Sequence, residues 1–206
     1  MINKNVINEK MTVALAAAGL ALTLAGSAFA QTTTRNDPKP TGVDKQFAVK
    51  AAQGGMFEVQ SSRIALNKTH NKQVRMVAQR MVKEHSAAND ELKTVAQDKH
   101  ISLPAETDPK HQAIIARLHR LSGASFDRVY IASQESAHAA TVKLFENEIA
   151  MGQDNDVTAF ASKNLPEIED HTKMIFQVGS NLGVHSTMMP KLKPALMPSS
   201  MNGKGM

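Results

Sequence analysis

The chain has 206 residues, a net charge of +5 and no cysteine. A thiol nucleophile and a thiolate metal site are therefore excluded, and no disulfide can hold the fold. Trp is absent, there is one Tyr, and the basic residues form no stripe with interleaved aromatics. Nucleic-acid binding is not expected, and the core must be aliphatic, with Phe and Met.

Residues 1–30 read as a secretory signal peptide. Lys4 and Lys10 give a basic start, Met11 to Ala25 is an apolar run, and Ala28-Phe29-Ala30 supplies a small-x-small cleavage pattern. The apolar run is short for a membrane span, and no stop-transfer charge cluster follows it. Cleavage near Ala30 implies a periplasmic or secreted protein. Loss of Lys4, Lys10 and Glu9 takes the net charge from +5 to +4. That excess suits weak association with an anionic envelope surface, although scattered Lys equally describes a solvated exterior. The remaining length fits one domain with a real core, and a homo-oligomer is left open.

Residues 31–42 are polar and Pro-containing, a flexible lead-in. Four long helices then follow over residues 43–183. The first spans Val43 to Lys68, with Asp44 at its positive end and an inward stripe of Phe47, Ala51, Gly55, Glu58, Val59, Ser62, Ala65 and Leu66. Gly54-Gly55 costs helix propensity, which close approach of a neighbouring helix would offset; a kink or early break is the other reading. Thr69-His70-Asn71 is a tight turn with Asn71 as N-cap. The second helix carries the seam Val74, Val77, Ala78, Met81, His85, Ala88, Leu92, Val95 and Ala96, and ends near Lys99. A crossover from Ile101 to Ala124 holds a short helix that begins after Asp108-Pro109. Ser125 caps the third long helix, Phe126 to Met151, whose inward line is Ile131, Glu135, His138, Val142, Phe145 and Ile149. The fourth runs from Asp156 to Asn181, with Val157, Phe160, Ala161, Asn164, Ile168, His171, Ile175 and Leu182 inward and Pro166 expected to kink it. Residues 184–206 hold three prolines and five methionines and read as a disordered tail. Thioether clusters can also bind copper(I).

The pattern is all-α: an up-down-up-down four-helix bundle with a short crossover helix between the second and third long helices. One buried polar residue from each long helix reaches the same level. Measured from the first interhelical turn at about 1.5 Å per residue, Glu58 and His85 lie about 18 and 22 Å away. Measured from the last turn, His138 and His171 lie about 22 and 27 Å away. Glu135 and Glu167, one turn before His138 and His171, flank the layer. Three imidazoles and a carboxylate make a first shell for one divalent metal such as Zn, Cu or Fe. The competing reading is a hydrogen-bonded layer, paired through Glu58, Glu135 or Tyr130, that only fixes the bundle register. His70, His100, His111, His119 and His185 lie at helix ends, in the crossover or in the tail and are weaker candidates.

The runs DKQFAVKAAQGGMFEVQSSRIA, VRMVAQRMVKEHSAANDEL, FDRVYIASQESAH and LPEIEDH resemble the secreted bacterial proteins grouped as domain of unknown function 4142. The resemblance covers Asp44 to Leu182 and implies a ferritin-like fold and an unsettled biochemical role. Ferritin-like di-iron sites use Glu-x-x-His on two helices. Here Glu135-Ser136-Ala137-His138 fits, but Val82 stands three before His85 and Ile168 three before His171. A di-iron oxidase therefore lacks its bridging carboxylates, and one metal or none is expected. The functions in view are metal buffering or envelope stress protection, a non-enzymatic structural or interaction role, and an oxidoreductase, for which no substrate path is visible. No catalytic residue is assigned.

Overall fold

The computed structural model describes residues 38–184. The expected signal peptide over 1–30, most of the lead-in and all but Val184 of the tail lie outside the described residues. Five helices are present among those described: α1 Gly42–Lys68, α2 Lys72–Asp98, α3 Pro109–Arg120, α4 Gly123–Met151 and α5 Asn155–Asn181. No strand occurs among them, and no helix is long and apolar enough to cross a membrane.

Local chemistry explains the boundaries. Asn71 Oδ1 accepts from the backbone N–H groups of Gln73 and Val74, and Asp108 does the same for Lys110 and His111 ahead of Pro109. Ser122, not Ser125, is the N-cap of α4, and the helix begins three residues earlier than Phe126. α1 is continuous through Gly54-Gly55 because α2 lies against it. A Cβ on Gly55 would stand 1.8 Å from Asn89 Oδ1. α5 continues through Pro166, which sits on the exposed face.

The helix directions differ from the expected up-down-up-down order. Lys68, at the end of α1, donates to the carbonyls of His119 and Leu121, just before α4 starts. Gln73 and Asn181 meet at the same end. At the opposite end, Asp44 Oδ1 accepts from the N–H groups of Gln153 and Asp154, and Lys99 pairs with Asp154 and Asp156. The α1–α2 turn and the α4–α5 turn therefore lie at opposite ends, and the order is up-down-down-up. The crossover makes this possible. Thr107 is bonded to the Gln53 carbonyl, His111 stacks on Phe57, and Lys68 reaches His119, so residues 107–119 climb along α1 and return the chain to the end where α2 began. One long crossover is the ferritin-like arrangement.

The core divides into two apolar clusters. One, toward the α4–α5 turn, includes Phe47, Leu92, Val142, Phe145, Val157 and Phe160, with its three central rings packed edge-on or tilted. The other, toward the α1–α2 turn, includes Val74, Val77, Met81, Leu118, Phe126, Tyr130 and Ile175. Between them lies a buried polar belt.

One inward position differs from the expected pattern. Ile149 is 39% exposed, and Glu148 is fully buried in its place beside Asp44 and Asp154. The Glu148 carboxyl folds over the end of α4 so closely that a Cβ on Gly152 would stand 2.2 Å from its Oε1. Burial, and then the neighbouring Asp44 carboxylate, push it up to about 8. Burial works the other way from hydrogen bonding at Asp44. The Thr41 hydroxyl and the Asp154, Thr41 and Gln153 N–H groups win there, holding it well below the usual carboxylate range.

Candidate metal centre

The polar belt draws on all four long helices. Glu58, His85, Gln134, Glu135, His138 and His171 are each no more than 8% exposed. His85, His138 and His171 form a compact triangle, with ring centroids 5.4, 5.3 and 5.5 Å apart. One ring nitrogen from each lies within 4.8 Å of the other two. The changed helix order does not disturb this layer, because each residue stands near the middle of a helix of 27–29 residues. A mid-helix residue reaches the same level whichever way its helix runs.

Hydrogen bonds fix which nitrogens are free. His138 Nδ1 lies 3.1 Å from the Gln134 carbonyl, and a carbonyl only accepts, so Nδ1 carries the proton. Nε2 of the neutral ring then holds a lone pair. It faces His85 Nε2 at 3.4 Å. That is long for a hydrogen bond. It matches the edge of a tetrahedron around a metal with nitrogen bonds of about 2.0–2.1 Å, which comes to about 3.3 Å. His171 Nε2 donates to Glu84 Oε2 at 2.5 Å, and Arg80 Nε holds the same oxygen at 2.8 Å. His171 Nδ1 is buried and has no hydrogen-bond partner among the described residues.

Electrostatics keep the rings neutral. Burial, then the nearby His171, pushes His85 down to about 3. Burial, followed by His85 and His171, holds His138 well below the usual imidazole range. Burial also lowers His171, although its bond to Glu84 opposes the shift. Neutral imidazole is the form that binds metal. Burial pushes the Glu58 carboxyl well above its ordinary range, and the Gln134 amide offsets this only in part.

A small cavity of about 30 Å³ adjoins the layer, lined by Glu58, His85 and His171 together with Glu167, Asn89 and Asn164. It has room for an ion or a water molecule but not for an organic substrate.

Residues 29–178 match the family model described as Domain of unknown function (DUF4142). The chain belongs to that family. Two solved structures share the fold of this DUF4142 domain. A DUF305 fragment from Deinococcus radiodurans superposes with a TM-score of 0.63 at 14% identity, covering 70% of this chain and 99% of that one. A DUF305 protein from Streptomyces coelicolor, described as a candidate secreted protein, gives 0.60 at 16% identity, covering 70% and 94%. At such identities the likeness concerns the fold alone. Comparison with curated proteins finds no match.

Within this DUF4142 domain the expected ligand residues do not all occupy equivalent places. The three histidines converge. Glu58 lies behind them, with Oε1 3.4 Å from His138 Nδ1, on the ring edge away from His85. Glu135 turns toward α5 instead: a Cβ on Gly179 would stand 2.1 Å from its Oε1. Tyr130 pairs with Ser62 rather than with a histidine. Glu167 joins Glu84 and His171 in a second potential ligand group at the edge of the bundle. Glu84 was missed. It sits beside the apolar seam of α2, and its only sequence signals are adjacency to His85 and an i,i+4 pairing with Arg80.

Proposed function

We propose that the histidine layer binds one divalent metal of the imidazole-preferring class, Zn, Cu or Fe, in an exported bundle that buffers or holds that metal. His85 Nε2, His138 Nε2 and His171 Nδ1 are the ligands. Glu84 and the Gln134 carbonyl orient two of the rings, as outer partners do in many metal sites. Glu58, kept neutral, stands behind His138 rather than on the ion. The observation that carries this reading is the 3.4 Å separation of two lone-pair-capable nitrogens inside a triangle of neutral imidazoles. Three histidines leave an open coordination position. The adjoining cavity admits only a very small occupant, which favours storage or buffering over catalysis on an organic substrate.

Metal analysis and calorimetric titration of untagged mature protein test the reading. One equivalent of metal is expected, and His138→Ala should abolish binding. No bound metal, with no response to added Zn, Cu or Fe, would sink it.

A second reading draws on the bonds that already satisfy two of the rings: the layer serves only to set helix register. His85→Leu separates the two. Unchanged or greater stability with no metal binding in either protein supports the register role. Loss of binding in the variant alone supports the metal site.

A further inference from the structure

The three imidazoles are almost wholly buried, so a cation needs a way in. The small cavity beside them is bordered by partly exposed residues on two sides. On one side these are Gly54 of α1 and Thr141 of α4. Both also line an outer groove of about 620 Å³ whose charged residues include Lys50, Lys110 and Lys143, against Asp108. None of the three lysines forms an ion pair with a described residue, while the Asp108 carboxylate is bound to His111. That face repels cations.

The opposite side, between α2 and α5, carries the other sign. Glu167 is exposed and also lines the cavity, so one side chain touches both solvent and interior. Its carboxylate, that of Glu84 and a nitrogen of His171 lie within 4.8 Å of one another. Glu84 is partly exposed and His171 is buried, so the three step inward from solvent to the layer. Behind them Glu58 borders the same cavity, and its buried Oε2 has no hydrogen-bond partner among the described residues. Arg80 occupies one side of the Glu84 carboxylate at 2.8 Å as a resident cation.

We propose that Glu84 and Glu167 form an acidic port that captures a divalent cation and passes it between α2 and α5 to the buried imidazoles. The proposal rests on the metal reading above and adds the route and its gate. His171 joins the two: its Nε2–H is bonded to Glu84 at the port, and Nδ1 is the nitrogen left for the layer. Capture requires the Arg80–Glu84 pair to open, so Arg80 sets how readily the port accepts an ion.

Stopped-flow mixing of the mature protein with Zn²⁺, read by competition with a chromophoric chelator, tests the route. Charge lining a narrow mouth raises association rates about tenfold or more. Glu167→Gln should therefore slow association about tenfold, with one equivalent still bound. Dissociation should slow alongside it, leaving Kd within about threefold, as expected for a residue on the path rather than at its end. Arg80→Gln should speed association, and Glu106→Gln, on the exposed crossover, should match the wild type. An unchanged association rate in Glu167→Gln overturns the port while leaving the metal site standing. A change in Kd carried wholly by dissociation also overturns it, making Glu167 a ligand. No binding by the wild type removes both readings.

Discussion

Replacing Glu148 by Gln should make the protein more stable in alkali, although Glu148 is buried and charged residues are usually kept for a reason. Its carboxyl is buried beside the carboxylates of Asp44 and Asp154, and in its protonated form it donates to Asp44. Burial is the larger cause of its shift, from 4.5 to about 8. A carboxyl with a folded-state value above its unfolded one keeps its proton only in the native state as pH rises. Stability is therefore fully present below about 4.5, falls through the interval, and levels off above about 8. Each tenfold change in proton affinity is worth about 1.4 kcal/mol, giving an upper bound of about 5 kcal/mol. Glu148 lies on the last turn of α4, where relaxation and water screen the charge, so about 2–3 kcal/mol is the expected loss. Gln keeps the shape and cannot ionise. Urea unfolding followed by circular dichroism at pH 5, 7 and 9 reads the effect. The variant should be close to wild type at pH 5 and about 2–3 kcal/mol more stable at pH 9. The histidine layer also titrates but is common to both proteins, so it cancels in the difference. A difference that does not change between pH 5 and 9 would refute the argument, as would a wild type that is the more stable at pH 9.

Two glycines on packed helices should respond oppositely to alanine. Gly179→Ala drives a Cβ to 2.1 Å from Glu135 Oε1 and should cost about 1–3 kcal/mol in urea unfolding. Gly54→Ala meets nothing nearer than Thr141 Oγ1 at 4.0 Å and should gain about 0.5–1 kcal/mol from helix propensity. In acid the histidine layer should fail first. Burial lowers all three imidazoles, so their contribution is complete above the ordinary value of 6.5 and is lost as pH falls toward the folded values, about 3 for His85. Midpoints of urea unfolding should therefore drop between pH 6.5 and pH 4.5 in wild type and drop less in His85→Leu. Equal slopes in the two proteins would count against neutral buried rings.

The helices, their turns and the buried faces were legible in the sequence because they depend on neighbours three or four residues apart. Asn71 and Asp108 cap helices through bonds to residues two and three positions on, which spacing alone reveals. The convergence of His85, His138 and His171 was also readable, but on a premise the structure corrects. An up-down-up-down order puts both turns at one end, whereas Asp44 ties the α4–α5 turn to the opposite one. The shared level is unchanged because the histidines lie near helix midpoints. Sequence could not give the direction of α4, since an unbroken pattern of apolar positions looks the same whichever way a helix runs. Only the climb of α3 along α1 decides it.

The polar partners needed the tertiary structure most. Ile149 and Glu148 are adjacent, and hydropathy favours the isoleucine for the interior, yet Glu148 is the one buried. The cause is the closeness of Asp44 and Asp154, which come from distant parts of the chain. Glu84 reads as an exposed helical carboxylate paired with Arg80 until α5 brings His171 within 2.5 Å of it. The sequence by itself determined most of the apolar inward faces, Ile149 excepted, and that three histidines share a level. The packing of helices decided which nitrogens are free, which carboxylates stand behind them, and on which side of the bundle a cation meets negative charge. Those outcomes depend on distances of a few ångströms between residues far apart in sequence, and a helical period carries no information about them.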